Sequence, residues 1–216
     1  MASDRTQLRS RFREVIATEA ELRAVLGYPG DKATAKVVRT IDEYSRRFIA
    51  ASPFLLIGTA GHGGMIDVSP KGDPAGFVKV LDETTLAIPD RLGNARLDTF
   101  RNILANPNVG LIFLIPNVTY TLRVSGKAVI VRDPDLRQSM AINGKPPAHV
   151  IVVDVEHVLT HCPKCMVRSG FWQPDKWPDV TDVPPFAETL AAHAKLADSL
   201  EDLSELLDRD TREKLY

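Results

Sequence analysis

Apolar positions fall into three textures along the chain. From residue 4 to residue 51 they recur at helical spacing. Leu8, Phe12, Val15 and Ile16 predict a helix over 4–26, with Gly27 as its stop. Val37, Val38, Ile41, Tyr44, Phe48 and Ile49 predict a second helix over 31–51. Ser52-Pro53 ends it, because the residue before proline disfavours the helical region. From 54 to 155 the apolar runs are short, partly alternating and punctuated by turn residues. PFLLIGTA, MIDVSP, FVKVLD, TLAIP, VGLIFLIP, TYTLRVSGKAVIVRD and HVIVVDV read as about seven strands. VGLIFLIP, taken literally, is buried on both faces. One helix of about 95–105 interrupts the strands, with Leu97, Phe100, Ile103 and Leu104 on its apolar side and Asn106-Pro107 as its break. Strands joined by turns favour a closed or half-closed antiparallel barrel over a doubly wound sheet. From Pro184 the chain is rich in Ala, Leu and charge and predicts one helix or two on the surface or at a subunit contact.

With 216 residues and 44% hydrophobic residues, the chain can bury a substantial core. A formal net charge of -1 gives no global reason to expect nucleic acid or membrane as a partner, so any anion site must be built locally. No apolar run is long enough to span a bilayer. The N-terminal MASDRTQLRSRFREV lacks an apolar core, so a secretory signal is not expected. Cys162 and Cys165 are the only cysteines and form no disulfide framework, which points to the cytoplasm.

The densest candidate chemistry lies where TLAIP runs into Asp90-Arg91-Leu92-Gly93-Asn94-Ala95-Arg96 and then a helix. A helix start has unpaired N–H groups and partial positive charge. Gly93 lets a ligand approach the backbone, Asn94 can cap the helix or donate to an oxygen, and Arg91 and Arg96 bring forked donors suited to phosphate. The plainer reading is a helix cap with two solvated arginines. Two further stretches bear on the choice. Asp67-Val68-Ser69-Pro70-Lys71-Gly72-Asp73 ends a strand with a hydroxyl, a lysine and a glycine-rich loop. Arg123 sits within an otherwise apolar strand and either faces water or lines a cleft.

The ordered set PFLLIGTA, IDVSPKGDPAGFVKVLD, TLAIPDRLGNARLDTFRNILANPNVGLIFLIP and TLRVSGKA, with the later HCPKCMVRSGFWQP, resembles the pyridoxamine 5'-phosphate oxidase-like, FMN-binding split-barrel proteins over about residues 30–178. Within them it is similar to a bacterial subgroup of FMN-dependent enzymes. The resemblance implies a mainly β fold, a six-stranded antiparallel split barrel with flanking helices. It also implies a homodimer with two FMN sites between subunits. The subgroup's R-x-G-N-x-R pattern falls on Arg91, Gly93, Asn94 and Arg96, at the part of the fold that holds the FMN phosphate. Its SPKGD pattern falls on Ser69 to Asp73, so that Ser69 and Lys71 lie along the flavin ring, and Arg123 lines the cofactor cleft. The implied activity is an FMN-dependent oxidoreductase acting on a small molecule; the alternative is a non-catalytic flavin-, deazaflavin- or haem-binding protein. The tail does not match the substrate-binding Arg and His residues of the true oxidases, so a vitamin B6 substrate is not carried over.

His161-Cys162-Pro163-Lys164-Cys165 has CxxC spacing, but a closed zinc site needs four ligands and there is no second cysteine pair, so no metal is expected. If this segment reaches across the dimer, Lys164 and Arg168 can touch cofactor or substrate and Trp172 can wall the cleft; the plainer reading is a surface helix with a core tryptophan. His62, His149 and His193 have no visible partner, and no Ser/His/Asp arrangement is supported by spacing. The expected organisation is N-terminal helices packing on the barrel (1–52), the FMN-binding barrel (53–180) and a helical tail (181–216).

Overall fold

The structure, a computed structural model, describes residues 5–216. Asp4, where the first expected helix begins, and the start of the segment judged against a secretory signal lie outside the described residues. The chain divides into two compact units, Met1–Lys36 and Val37–Tyr216.

The first unit carries three short helices, α1 (Arg5–Arg9), α2 (Glu19–Leu26) and α3 (Asp31–Ala35). The single helix expected over 4–26 is therefore broken. Thr18 and Glu21 explain the second start. The Glu21 N–H donates to Thr18 Oγ1 at 3.2 Å, while the Glu21 carboxylate accepts from the N–H of Ala17 at 2.7 Å and of Thr18 at 3.4 Å. This reciprocal cap turns a continuous helix into a helix start. Leu8, Phe12, Val15 and Ile16 are exposed, and an amphipathic stripe that is not buried does not sustain a long helix.

The second expected helix, 31–51, is also split. In the second unit only α4 (Glu43–Ala51) is helical from that stretch. Before it, Val38 forms an antiparallel bridge with Val158, and the Ile41 N–H donates to the Glu83 carbonyl at 2.7 Å. Asp42 then caps α4 by accepting from the Ser45 N–H at 2.8 Å, and that bond holds its carboxyl below the usual range.

Seven strands follow: β1 (Phe54–Ala60), β2 (Ile66–Gly72), β3 (Lys79–Val80), β4 (Thr85–Pro89), β5 (Asn108–Leu114), β6 (Thr121–Val131) and β7 (Val150–His161). They form one antiparallel sheet in the order β2-β1-β5-β6-β7-β4-β3. The six strands implied by the resemblance become seven because Lys79–Val80 pairs with β4 at one edge. Helices α5 (Asp98–Ala105), α6 (Pro134–Ser139), α7 (Lys164–Ser169), α8 (Phe186–Ala194) and α9 (Leu200–Glu213) flank the sheet or follow it.

One face of the sheet is buried. Leu55 and Ile57 from β1, Leu111 and Phe113 from β5, and Leu122 and Val124 from β6 join Phe48 and Ile49 of α4 and Phe100 and Ile103 of α5 in one apolar cluster. β5 is not buried on both faces as expected. Val109, Leu111 and Phe113 are inside while Gly110 and Ile112 are exposed, the period-two pattern of a half-covered sheet. β2 is an edge strand, with Ile66, Val68 and Pro70 exposed and Asp67, Ser69 and Lys71 half-buried.

Between β6 and β7 the register steps from Ser125↔His157 to Gly126↔Val155, leaving Glu156 as an extra residue. The buried alternation on β7 accordingly changes parity, from the odd positions Ile151, Val153 and Val155 to the even position Val158. Gly126 permits the bulge, since a Cβ there would lie 2.0 Å from the Asp154 carbonyl oxygen. The Gly126→Ala variant is expected to lose ~3 kcal/mol, the upper end for overpacking. Urea unfolding measures it, and a loss below ~1 kcal/mol would mean that the β6–β7 bulge relaxes without strain.

Candidate functional site

Two sheet segments bring their polar residues together at one end of the buried face. β4 is almost wholly buried through Leu86, Ala87 and Ile88, and it leaves the sheet at Pro89, delivering Asp90 and Arg91 at its end. β2 presents Asp67, Ser69 and Lys71 on the side of the core, because they pair with Thr59, Ile57 and Leu55. The loop after β4 returns over them and enters α5. Two of its residues, Ala95 (φ 56) and Leu97 (φ 61), adopt the left-handed conformation that non-glycine residues rarely take. Residues 145–148 form a third wall, and Tyr216 a fourth.

The result is a cavity of about 870 Å³. Small-molecule sites typically span about 300–1,000 Å³. Of the residues singled out from sequence, Ser69, Lys71, Arg91, Gly93, Asn94 and Arg96 all line it. Arg123, Lys164, Arg168 and Trp172 do not. Leu122 and Val124 point into the core, so Arg123 lies on the opposite, exposed face beside Ile112. Lys164 and Arg168 are exposed on α7. Trp172 is half-buried, with its indole N–H donating to the Val118 carbonyl at 3.0 Å.

Arg91, Lys71 and Arg96 are each paired with an acid. Arg91 Nε donates to Asp73 Oδ2 at 2.6 Å and Nη2 to the Met140 carbonyl at 3.1 Å. The Asp73 side chain is only 1% exposed. Lys71 Nζ lies 3.5 Å from Asp90 Oδ1 and 5.3 Å from the centroid of the Phe100 ring. Arg96 Nε donates to Asp98 Oδ2 at 2.8 Å, and that bond holds the exposed guanidinium more firmly protonated than usual. Lys145 is held differently, with Nζ donating to the Tyr216 carbonyl oxygen at 2.9 Å.

The cap expected from Asn94 is not formed. Its side-chain oxygen accepts from the Arg96 N–H at 3.1 Å within the loop, while α5 begins at Asp98 behind Leu97, which offers no side-chain cap. The unpaired N–H groups at this helix start therefore lie beside the cavity-lining stretch of the loop.

Several residues here escaped sequence reasoning. His149 was set aside for want of a partner, yet its Nε2 lies 3.3 Å from Asp90 Oδ2 and its ring packs edge-on against Phe100 at 4.4 Å. Strand pairing brings the two together, since Asp90 follows β4 and His149 precedes β7 where Pro89 pairs with Val150. Tyr216 and Lys145 had no local signal. The Tyr216 phenol donates to Asp73 Oδ1 at 2.7 Å across 143 positions. Asp73, by its hydrogen bond and its charge, together with burial, pushes the phenol above its ordinary value, while Arg91 opposes this. Cys162 and Cys165 are free and exposed, and among the described residues no three His, Cys, Asp or Glu side chains are grouped to hold a metal ion. Among them, no helix is long and apolar enough to cross a membrane.

The buried Asp73–Arg91 pair has a direct test. Removing one partner of such a pair costs about 3–5 kcal/mol because the other charge is left uncompensated. The Asp73→Ala variant is expected to lose stability in that range by chemical denaturation, with Asp73→Asn losing less because it still accepts from Tyr216.

A protein-family model described as "Pyridoxamine 5'-phosphate oxidase" matches residues 41–162. No curated protein matches the chain. Solved structures that resemble it include HupZ from Group A Streptococcus, 18% identical, covering 56% of this chain and 93% of that one with a TM-score of 0.46. General Stress Protein 26 from Bacillus anthracis is 14% identical, covering 53% of this chain and 88% of that one with a TM-score of 0.43. The FAD binding protein from Mycobacterium smegmatis is 18% identical, covering 57% of this chain and 97% of that one with a TM-score of 0.39.

Proposed function

The chain belongs to the pyridoxamine 5'-phosphate oxidase family, and from that premise we propose that it is an FMN-dependent oxidoreductase acting on a small molecule. The observation that carries this reading is the donor set of the cavity: Lys71, Arg91, Arg96 and Lys145 around one concave space, in a chain whose net charge is only -1. Those donors fit a flavin phosphate. Arg96 is exposed and its ion-pair partner Asp98 is half-exposed, and Arg91 Nη1 has no hydrogen-bond partner among the described residues. Gly93 adds room, since a Cβ there would meet nothing within 4 Å.

Arg91, Arg96 and Asn94 would hold the phosphate, with Gly93 keeping the backbone accessible. Ser69 and Lys71 would run along the ring. Asp90 and the Phe100 face hold the Lys71 ammonium in place, so its donors are fixed along that wall. FMN, when bound, supplies hydride or electron transfer, and the protein supplies binding, orientation and electrostatics.

The same reading includes a homodimer in the cytoplasm, with cofactor sites between subunits. Support comes from the uncovered sheet face, where Ile66, Val68, Ile112 and Val129 are all exposed. Arg123 lies on that face. A partner copy is the route by which Arg123, Lys164, Arg168 and Trp172 would reach a cofactor.

Absorption of the protein as purified, and again after adding FMN, tests the cofactor. A bound flavin spectrum is expected, with Arg96→Ala weakening FMN at least about tenfold, the scale of one charge-assisted hydrogen bond. Unchanged affinity in that variant removes the phosphate assignment. Reduction of the bound flavin by NADH or NADPH, followed by reoxidation, is expected of an oxidoreductase; a flavin that binds and never turns over would make the chain a carrier or sensor. Light scattering is expected to give the mass of two chains.

A further inference from the structure

Arg91 is held in an uncommon way. The Nε and Nη2 donors lie side by side, and a carboxylate ordinarily takes both in a forked pair. Here the fork is divided. Asp73 Oδ2 takes Nε at 2.6 Å, and the Met140 carbonyl takes Nη2 at 3.1 Å. Asp73 Oδ1, the oxygen that would complete the fork, accepts instead from the Tyr216 phenol at 2.7 Å. The Tyr216 ring also sits 5.9 Å from the Arg91 guanidinium carbon, and both residues line the cavity.

We propose that Tyr216 is a positioning residue of this site, whose phenol engages Asp73 and so holds Arg91 in the divided pose, fixing the direction in which its Nη1 meets an anionic ligand. The inference rests on the reading that the cavity takes a phosphate-bearing ligand. With its side chain 1% exposed, Asp73 has almost no access to water that could replace the phenol. Without Tyr216, Oδ1 would find its second donor in Arg91 itself. The guanidinium would turn toward a forked pair with Asp73 and give up the Met140 carbonyl, and Nη1 would be re-aimed relative to the ligand. Lys145 ties the same segment from the other side, through the Tyr216 carbonyl oxygen at 2.9 Å. A segment with no sequence neighbour in the cavity thus sets the selectivity for phosphate without supplying a donor to it.

The test compares wild type with Tyr216→Phe, which keeps the ring and removes only the hydroxyl. Three probes are titrated into each: FMN, riboflavin and inorganic phosphate, by flavin fluorescence and calorimetry. Tyr216→Phe is expected to weaken FMN and inorganic phosphate about tenfold and to leave riboflavin within about twofold. A merely structural role would weaken FMN and riboflavin alike, and that result overturns the proposal. So does an unchanged or tightened affinity for the phosphate-bearing probes. Wild type that takes phosphate but ignores both flavins removes the cofactor reading alone, and the phosphate comparison still decides the role of Tyr216. Wild type that takes none of the three probes overturns both. The contact has its own readout in the phenolate absorbance of wild type minus Tyr216→Phe. Because the folded value is raised, the hydrogen bond persists through neutral pH and is lost as pH rises through that value. Tyr216 is expected to ionise above the ordinary tyrosine value of 10.0 and to return toward it in Asp73→Asn.

Discussion

The side-chain period of a strand is two, and in this protein that period decides where the chemistry lies. β2 has only one neighbour, β1, and their register is locked because Leu55, Ile57 and Thr59 must all face the core. Asp67, Ser69 and Lys71 are paired with those residues, so they are carried to the same face and meet the end of β4 there. A slip of one residue would turn them outward and bring the side chains of Ile66, Val68 and Pro70 to the core side. The site is thus held in place by burial of the neighbouring strand. β4 acts likewise from the other side, since its buried run of Leu86, Ala87 and Ile88 fixes where Asp90 and Arg91 emerge.

The electrostatics of the cavity follow from that placement. A cluster of cations in a chain of nearly neutral net charge repels itself unless acids are interleaved. Asp73, Asp90 and Asp98 do this for Arg91, Lys71 and Arg96 in turn. The three pairs differ in depth. Asp73–Arg91 is shielded from water and geometrically fixed, Asp90–Lys71 is intermediate, and Asp98–Arg96 is solvated. Exposed pairs contribute little to stability, and buried ones, which already carry a desolvation cost, become strongly destabilising when one partner is missing. The gradient therefore runs from a shielded Arg91 to a solvated Arg96, and the Asp98–Arg96 pair is the one that opens at the lowest cost.

Much of the fold was legible because burial has a period. The strands from 54 to 155, the helix near 95–105 and the helical tail all appear close to where alternation and apolar spacing put them. The six cavity residues from Ser69 to Arg96 were legible because they gather in the second half of β2 and in the loop after β4, where polar residues stand out. The errors also have physical causes. Apolar spacing over 4–26 ignored the Thr18–Glu21 cap, which was visible in the sequence as a Thr three residues before a Glu. Apolar spacing over 31–51 could not show that Val38 pairs with a strand 120 positions away. VGLIFLIP looked buried on both faces because Ile112 is apolar, yet it lies on the uncovered face. His149 and Tyr216 belong to the site through contacts that span the chain, and no local pattern encodes those.

The free edge of β2 bears on how the protein behaves when crowded. An edge strand with exposed Ile66 and Val68 offers unpaired backbone groups beside apolar side chains, the combination on which stray chains add as further strands. Pro70 has no N–H to contribute, so a strand laid along this edge meets an interruption in its ladder after four residues. The proline that shapes one wall of the cavity is also a guard against fibrous self-association in concentrated solution.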